Sequence, residues 1–330
     1  MSSNAEDSPE DTLLLEKRRQ FFSDYRVVQS FDFESCERTI LDDEDTLRTC
    51  RYCRRANPEV RFKSEAHAVP HFLGNTKIFT KNECDTCNSF FGREYEDHLA
   101  KWSHLFRSVV GIVGKNGVPV FKSKDIRLET SSNGLSIAYQ NPVLSPSDVD
   151  LHNLSTHKLL GDNPSQPYVP FRAAMALIRI ACSLCPQSSL PTISSTLDWM
   201  LDIDRASIAG WHVMFACTPG PLTSKDSRVL LLQRKSQAAT PFLILVIRFR
   251  NIRLQTFVPF CASDDHWIRR DQPVSITIPA FPSRFDEHWP YGKSSYGTLD
   301  WSSKEPSVDR AGVEFIFLNR IGTDGIENAS

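Results

Sequence analysis

Four cysteines constrain this chain more than any other feature. Cys50-Arg51-Tyr52-Cys53 and Cys84-Asp85-Thr86-Cys87 are Cys-x-x-C pairs that bracket thirty residues. Each short knuckle presents two thiolates at the separation a tetrahedral ion needs, so Cys50, Cys53, Cys84 and Cys87 predict a closed, structural zinc site. Between the pairs lie Glu65, His67, Pro70 and Gly74-Asn75. Pro70 stops the segment that holds His67, Gly74-Asn75 marks a turn, and Lys77 to Phe79 is short enough to pair as a second strand. A helix can start at Asp85 or Thr86, which sets Asn88, Phe91 and Tyr95 on one face. The expected order is knuckle, histidine strand, second strand, knuckle, helix.

Charge separates this stretch from its flanks. The net charge of the 330-residue chain is −2. Residues 1–49 carry 6 basic and 13 acidic side chains, residues 50–124 carry 13 and 7, and residues 125–330 carry 19 and 20. A four-thiolate zinc site would itself hold a net −2, leaving the central segment positive. A basic segment between acidic and neutral ones suits a polyanion, although an ordinary solvated surface has the same composition. No apolar run is long enough to span a membrane and no secretory signal is visible, so no membrane partner is expected. The five other cysteines (Cys36, Cys182, Cys185, Cys217, Cys261) are scattered in apolar surroundings, which fits a reducing, cytoplasmic location better than a disulfide scaffold.

The run Cys50, Cys53, Glu65, His67, Pro70, Leu73, Gly74, Asn75, Cys84, Cys87 and Asn88 resembles the HNH endonuclease superfamily. The nearest branch has a zinc-knuckle pair and the pattern CxxC…ExHxxPxxLGN…CxxCN. The resemblance covers about residues 46–100. It implies a ββα-metal fold and metal-dependent hydrolysis of DNA, taken as double-stranded. His67 would be the general base, and the Asn88 amide oxygen would be a ligand of a catalytic Mg²⁺ or Mn²⁺. Members of the superfamily commonly place an acid directly before that histidine, where this chain has Ala66. Residues 65 and 67 of an extended strand point to the same side, so Glu65 is the expected second ligand, with Glu96 and His71 as alternatives. Lys63, Lys77, Lys81, Arg93 and Lys101 are candidate phosphate contacts, which position DNA without reading its sequence. No recognition helix is evident, so weak sequence preference is expected, and the family's frequent service against invading DNA makes an antiviral defence effector one expectation. The other reading of the same pattern is a catalytically inactive zinc-stabilised module that binds nucleic acid or protein.

Elsewhere the expectations are coarser. Residues 1–45 form an acidic N-terminal segment, disordered at first and then helical from Leu13 to Tyr25, with an acidic cluster at Asp42–Asp45. Residues 46–117 form the nuclease unit, and residues 118–330 an α+β domain with a mixed or antiparallel sheet. In that domain, 130–167 reads as long loops around a strand at Leu135–Tyr139. Val169–Leu184 reads as a largely buried helix with a thin polar edge at Arg172, Arg179 and Ser183, and Ile193–Ile208 as a second helix. Strands are expected at Trp211–Cys217, Val229–Gln233, Phe242–Phe249, Ile252–Phe260, Val274–Ile278 and Val313–Leu318, with Phe242–Ile247 central because it is continuously apolar. Residues 282–310 read as loops. Cys182 and Cys185 read as core, and Asp264-Asp265-His266 and Asp286-Glu287-His288 as exposed loop composition. Regulation, homodimerisation, or recognition of an effector ligand or partner protein are the roles open to residues 118–330.

Overall fold

The computed structural model describes residues 9–41, 48–124, 126–139, 157–159, 166–202, 208, 210–235, 240–264, 277–285, 289–309 and 313–315. The acidic cluster at 42–45, residues 1–8, most of the stretch 140–165, the helix tail 203–207, the strand residues 274–276 and 316–318, Asp265-His266 and Asp286-Glu287-His288 lie outside them. No described helix is long and apolar enough to cross a membrane.

The architecture is α+β, built around one six-stranded antiparallel sheet. Its strands are β1 (Tyr25–Asp32), β9 (His212–Cys217), β10 (Arg228–Arg234), β11 (Leu243–Phe249), β12 (Ile252–Phe257) and β13 (Ser295–Asp300), in the order β1-β10-β11-β12-β9-β13. Strand β11, whose run Leu243–Ile247 is continuously apolar, is central, as its sequence predicts, and every residue in it, Arg248 included, is buried. Helix α1 (Pro9–Asp24) leads directly into β1.

Two expectations are corrected here, and one strand stands where none was expected. Tyr25–Asp32 follows the expected helix and pairs with β10 as an edge strand. Ser295–Asp300, expected as loop, pairs with β9 from Ser295↔Cys217 to Asp300↔His212. Both are mixed-polarity edge strands whose partners lie far away in sequence, so alternation alone does not reveal them. Thr277 and Ile278, the described end of the strand expected at Val274–Ile278, are not in a strand.

Helix α5 (Pro170–Leu184) is the middle layer. Proline stands at its first turn, where its missing N–H costs nothing. All of its residues except Arg172 are buried, because the helix is covered on both sides. One side packs on β11, and the other meets the helical segment that follows the second cysteine pair. The expected polar edge therefore does not face solvent: Arg179 and Ser183 are buried against the cysteine unit. Helix α6 (Ser194–Leu201) lies beside α5 and shares its core through Met200, whose Sδ accepts from Cys182 Sγ at 3.8 Å.

The cysteine unit supplies the third layer. β3 (Ala66–His67) and β4 (Ile78–Thr80) are antiparallel, and β2 (Thr39–Ile40) adds to β4 in parallel. Helix α2 (Asp85–Phe91) runs through a π-helical turn, Gly92–Glu96, into α3 (Asp97–Trp102), followed by α4 (His104–Val110). The core is continuous across residue 117: Tyr52, Phe91, Tyr95 and Leu99 belong to the same buried cluster as Ala173, Ile180 and Leu245. Beyond it, β5 (Phe121–Lys122), β6 (Ile126–Ser131) and β7 (Gly134–Tyr139) form a small antiparallel sheet against α4, so the loop region expected from 130 begins as a hairpin. A two-stranded sheet pairs β8 (His157–Leu159) with β14 (Val313–Phe315).

Candidate active site

The four cysteine sulfurs converge as expected. Their Sγ atoms all lie within 4.8 Å of one another, and Cys53 and Cys84 are 3.8 Å apart. Zinc–sulfur bonds of about 2.3 Å in a tetrahedron set sulfur pairs about 3.8 Å apart, so the donor set fits zinc. Backbone N–H groups of Cys84 and Cys87 donate to Cys50 Sγ and Cys84 Sγ, as thiolates require. This is the one cluster of three or more His, Cys, Asp or Glu ligands among the described residues.

The knuckles also fasten the unit to the middle layer. Arg51 Nη1 donates to the carbonyls of Cys182 and Ser183 at 2.7 and 2.9 Å, satisfying the last turn of α5. Tyr52 Oη lies 2.8 Å from Ser183 Oγ. Cys182 and Cys185 are buried core residues, in line with their sequence reading.

His67 stands on β3 beside the turn that Asn75 closes. Asn75 is wholly buried; its Nδ2 donates to the carbonyls of Val69 and Ile78, and its Oδ1 accepts from the N–H groups of Lys77 and Ile78. Gly74 before it has φ +96°, a conformation that favours glycine. This clamp sets the spacing of β3 and β4, and with it the height of the imidazole.

Around His67 lies a cleft of about 470 Å³. Glu65, His67, His71, Asn88 and Glu96 all line it, together with Arg107 and Lys115. Asn88, Gly92, Glu96 and Ala100 reach it at four-residue intervals. A regular α-helix would rotate such a row away; the wider π turn at 92–96 keeps it aligned. Lys115 and Asn116 sit at the tip of a tight turn in which Gly114 and Gly117 exchange backbone hydrogen bonds.

The electrostatics keep His67 neutral. Burial pushes its pKa down to about 4, and His71, Lys115 and Arg179 push in the same direction. The His67 and His71 rings are 5.5 Å apart, and the Nδ1 atoms of both are buried without a hydrogen-bond partner among the described residues. Glu65 is exposed and forms an ion pair with Arg38 at 2.5 Å, which holds its carboxyl below the usual range. Glu96 lies 3.3 Å from Arg179 Nη1.

The five cations expected on phosphate stand elsewhere. Lys63, Lys77, Lys81, Arg93 and Lys101 do not line the cleft. Lys77 Nζ donates to the Glu34 carbonyl, Arg93 pairs with Glu94, and Lys101 pairs with Asp97. The cations at the cleft are Arg107 and Lys115, brought there by α4 and the turn after it. Sequence reasoning passed over both, because they fall outside the motif. Arg107, whose pKa burial lowers to about 10, keeps its charge and lies over the Phe72 ring.

Sequence reasoning also missed the organising role of Arg179. From α5 its Nη1 donates to the carbonyls of His67 and Ala68, and its Nη2 to Glu83 Oε2. An arginine in the middle of an apolar helix, with Glu83 directly before a knuckle cysteine, was the available signal. Asp264 is another correction. It is fully buried, pairs with Arg234 at 3.0 Å and accepts from the Phe242 N–H, so it is not an exposed loop residue.

Residues 50–103 match the family model described as HNH endonuclease. No curated protein and no solved structure matches the chain. The family match, with the four-cysteine cluster, identifies the segment as a zinc-knuckle HNH unit and points to nuclease chemistry on a nucleic acid.

Proposed function

We propose that this protein is a metal-dependent DNA endonuclease of weak sequence preference, with His67 as general base. The observation that carries this reading is the single cleft that gathers a neutral histidine, an amide, carboxylates and two cations. Neutral His67 has a lone pair with which to take a proton from an attacking water, so proton transfer needs no prior ionisation at neutral pH. Arg107 and Lys115 attract and orient the anionic backbone. Asn88 and Glu65 are oxygen donors that would hold a hard divalent ion such as Mg²⁺ or Mn²⁺. When bound, that ion supplies Lewis-acid stabilisation of charge on the scissile phosphate and the leaving 3′ oxygen. Ala66, where an acid commonly stands, makes Glu65 the donor from the same face of the strand.

The test is plasmid cleavage in Mg²⁺ or Mn²⁺ by wild type and His67→Ala at equal zinc content. Cleavage should fall by about 10²–10⁴-fold in the variant. Cleavage that survives the substitution removes His67 from this role. A wild type inactive with every divalent ion would favour the zinc-stabilised binding module.

A further inference from the structure

A second cleft lies on the far side of the central sheet. Leu243, Leu245 and Ile247 face α5 and the cysteine unit, whereas Ile244 and Val246 face the opposite way, toward Phe21 and Tyr25. On that opposite face the register places Asp32, Arg228, Arg248 and Arg253 in one row across four adjacent strands. Three guanidinium groups therefore occupy neighbouring positions, where like charges destabilise a sheet. Strands about 4.8 Å apart bring such groups within reach of one ligand.

The row is unevenly compensated. Asp32 grips Arg228 with both carboxylate oxygens. Arg248 donates to the hydroxyls of Thr218 and Ser283 and lies 4.6 Å from the Phe285 ring. Arg253 lies over the Tyr296 ring at 5.6 Å, and its Nη1 is buried without a hydrogen-bond partner among the described residues. Arg253 is only 6% exposed and Arg248 only 8%. Leaving a buried guanidinium donor unmet costs free energy that a binding partner would recover.

These arginines line a cleft of about 730 Å³, with Phe22, Phe281 and Phe285 also in its wall. That volume exceeds a lone anion and lies within the range of small-molecule sites. Guanidinium forks match phosphate oxygens, and aromatic rings offer stacking surface. We propose that this cleft binds a small phosphate-bearing ligand, with Arg248 and Arg253 as its anion contacts. The site is separate from the His67 cleft and does not rest on the nuclease reading.

The test uses the full chain with inorganic phosphate, AMP and adenosine as probes, followed by calorimetry and thermal melting. Phosphate and AMP should bind and raise the melting temperature, and adenosine should not. AMP at least about tenfold tighter than phosphate marks a nucleotide site, and equal affinity marks a free-phosphate site; both support the proposal. Arg253→Met should weaken binding by about tenfold or more while raising the melting temperature of the unliganded chain, because it removes one of the crowded charges. Arg253→Lys keeps the charge, loses the fork and should also weaken binding, which covers the case where the first variant fails to fold. No binding by either phosphate-bearing probe would overturn the proposal. So would unchanged binding in the Arg253 variants, or an AMP shift lost in Lys115→Ala and not in Arg253→Lys.

Discussion

Arg179 Nη2 donates to Glu83 Oε2 at 2.6 Å, with both side chains closed to solvent. The pair joins the middle helix to the residue before a knuckle cysteine, while Nη1 of the same arginine holds the His67 carbonyl. Burial pushes the Glu83 carboxyl up to about 7, and the guanidinium opposes that push. Removing one partner of such a pair strands the other charge. Arg179→Met should cost about 3–5 kcal/mol, and adding Glu83→Leu should recover most of it. Urea titration of the single and double variants checks this; a double variant no more stable than the single would contradict it.

Cys84 contributes a sulfur to the metal cluster and caps α2 by accepting from the Cys87 N–H. A unit with so little core of its own depends on its metal for folding. Cys84→Ser should lose zinc and the fold of residues 50–103 together. Metal analysis with amide exchange across this segment is the measurement, and a folded, zinc-loaded variant would count against the structural role.

Asn88 and Glu65 are proposed to share the catalytic ion. Glu65→Gln keeps the shape and removes the charge, so the Mn²⁺ concentration for half-maximal cleavage should rise by about tenfold, while the rate at saturating ion changes less. An unchanged ion requirement would point to Glu96 as the carboxylate ligand.

His98 Nδ1 accepts from the Val169 N–H at 3.0 Å, at the start of α5. Burial lowers its pKa from 6.5, helped by Arg172 and Lys101. The unfolded chain therefore binds a proton at higher pH than the folded one. Stabilisation from neutral His98 is whole above about pH 6.5 and is lost as pH falls through the lowered folded value. Thermal melts from pH 8 to 5 should show an acid limb to which His67, His71 and His104, also lowered by burial, contribute. His98→Gln should make it shallower by one histidine's share. An equal slope in the variant would assign the limb to other groups.

The zinc unit was legible in the sequence because its information is local. Cysteine spacing, Pro70 and the Gly74-Asn75 turn each act over a few residues, and the predicted order of elements is the order found. The unbroken apolar run of β11 marked the centre of the sheet for the same reason: burial on both faces leaves no room for alternation. The single helical face expected for Asn88, Phe91 and Tyr95 is instead split by the π turn, with Asn88 on the cleft and Phe91 and Tyr95 in the core.

What the tertiary structure decided is where distant side chains meet. The edge strands β1 and β13 owe their state to partners about 200 and 80 residues away, and their own sequences are mixed in polarity. Arg107 and Lys115 reach the His67 cleft only because α4 folds back beside it, and Arg179 reaches β3 only because α5 is packed between two layers. Spacing reveals ligands that share a knuckle or a strand. It carries no record of contacts made through a common core, and those contacts set the charge around His67.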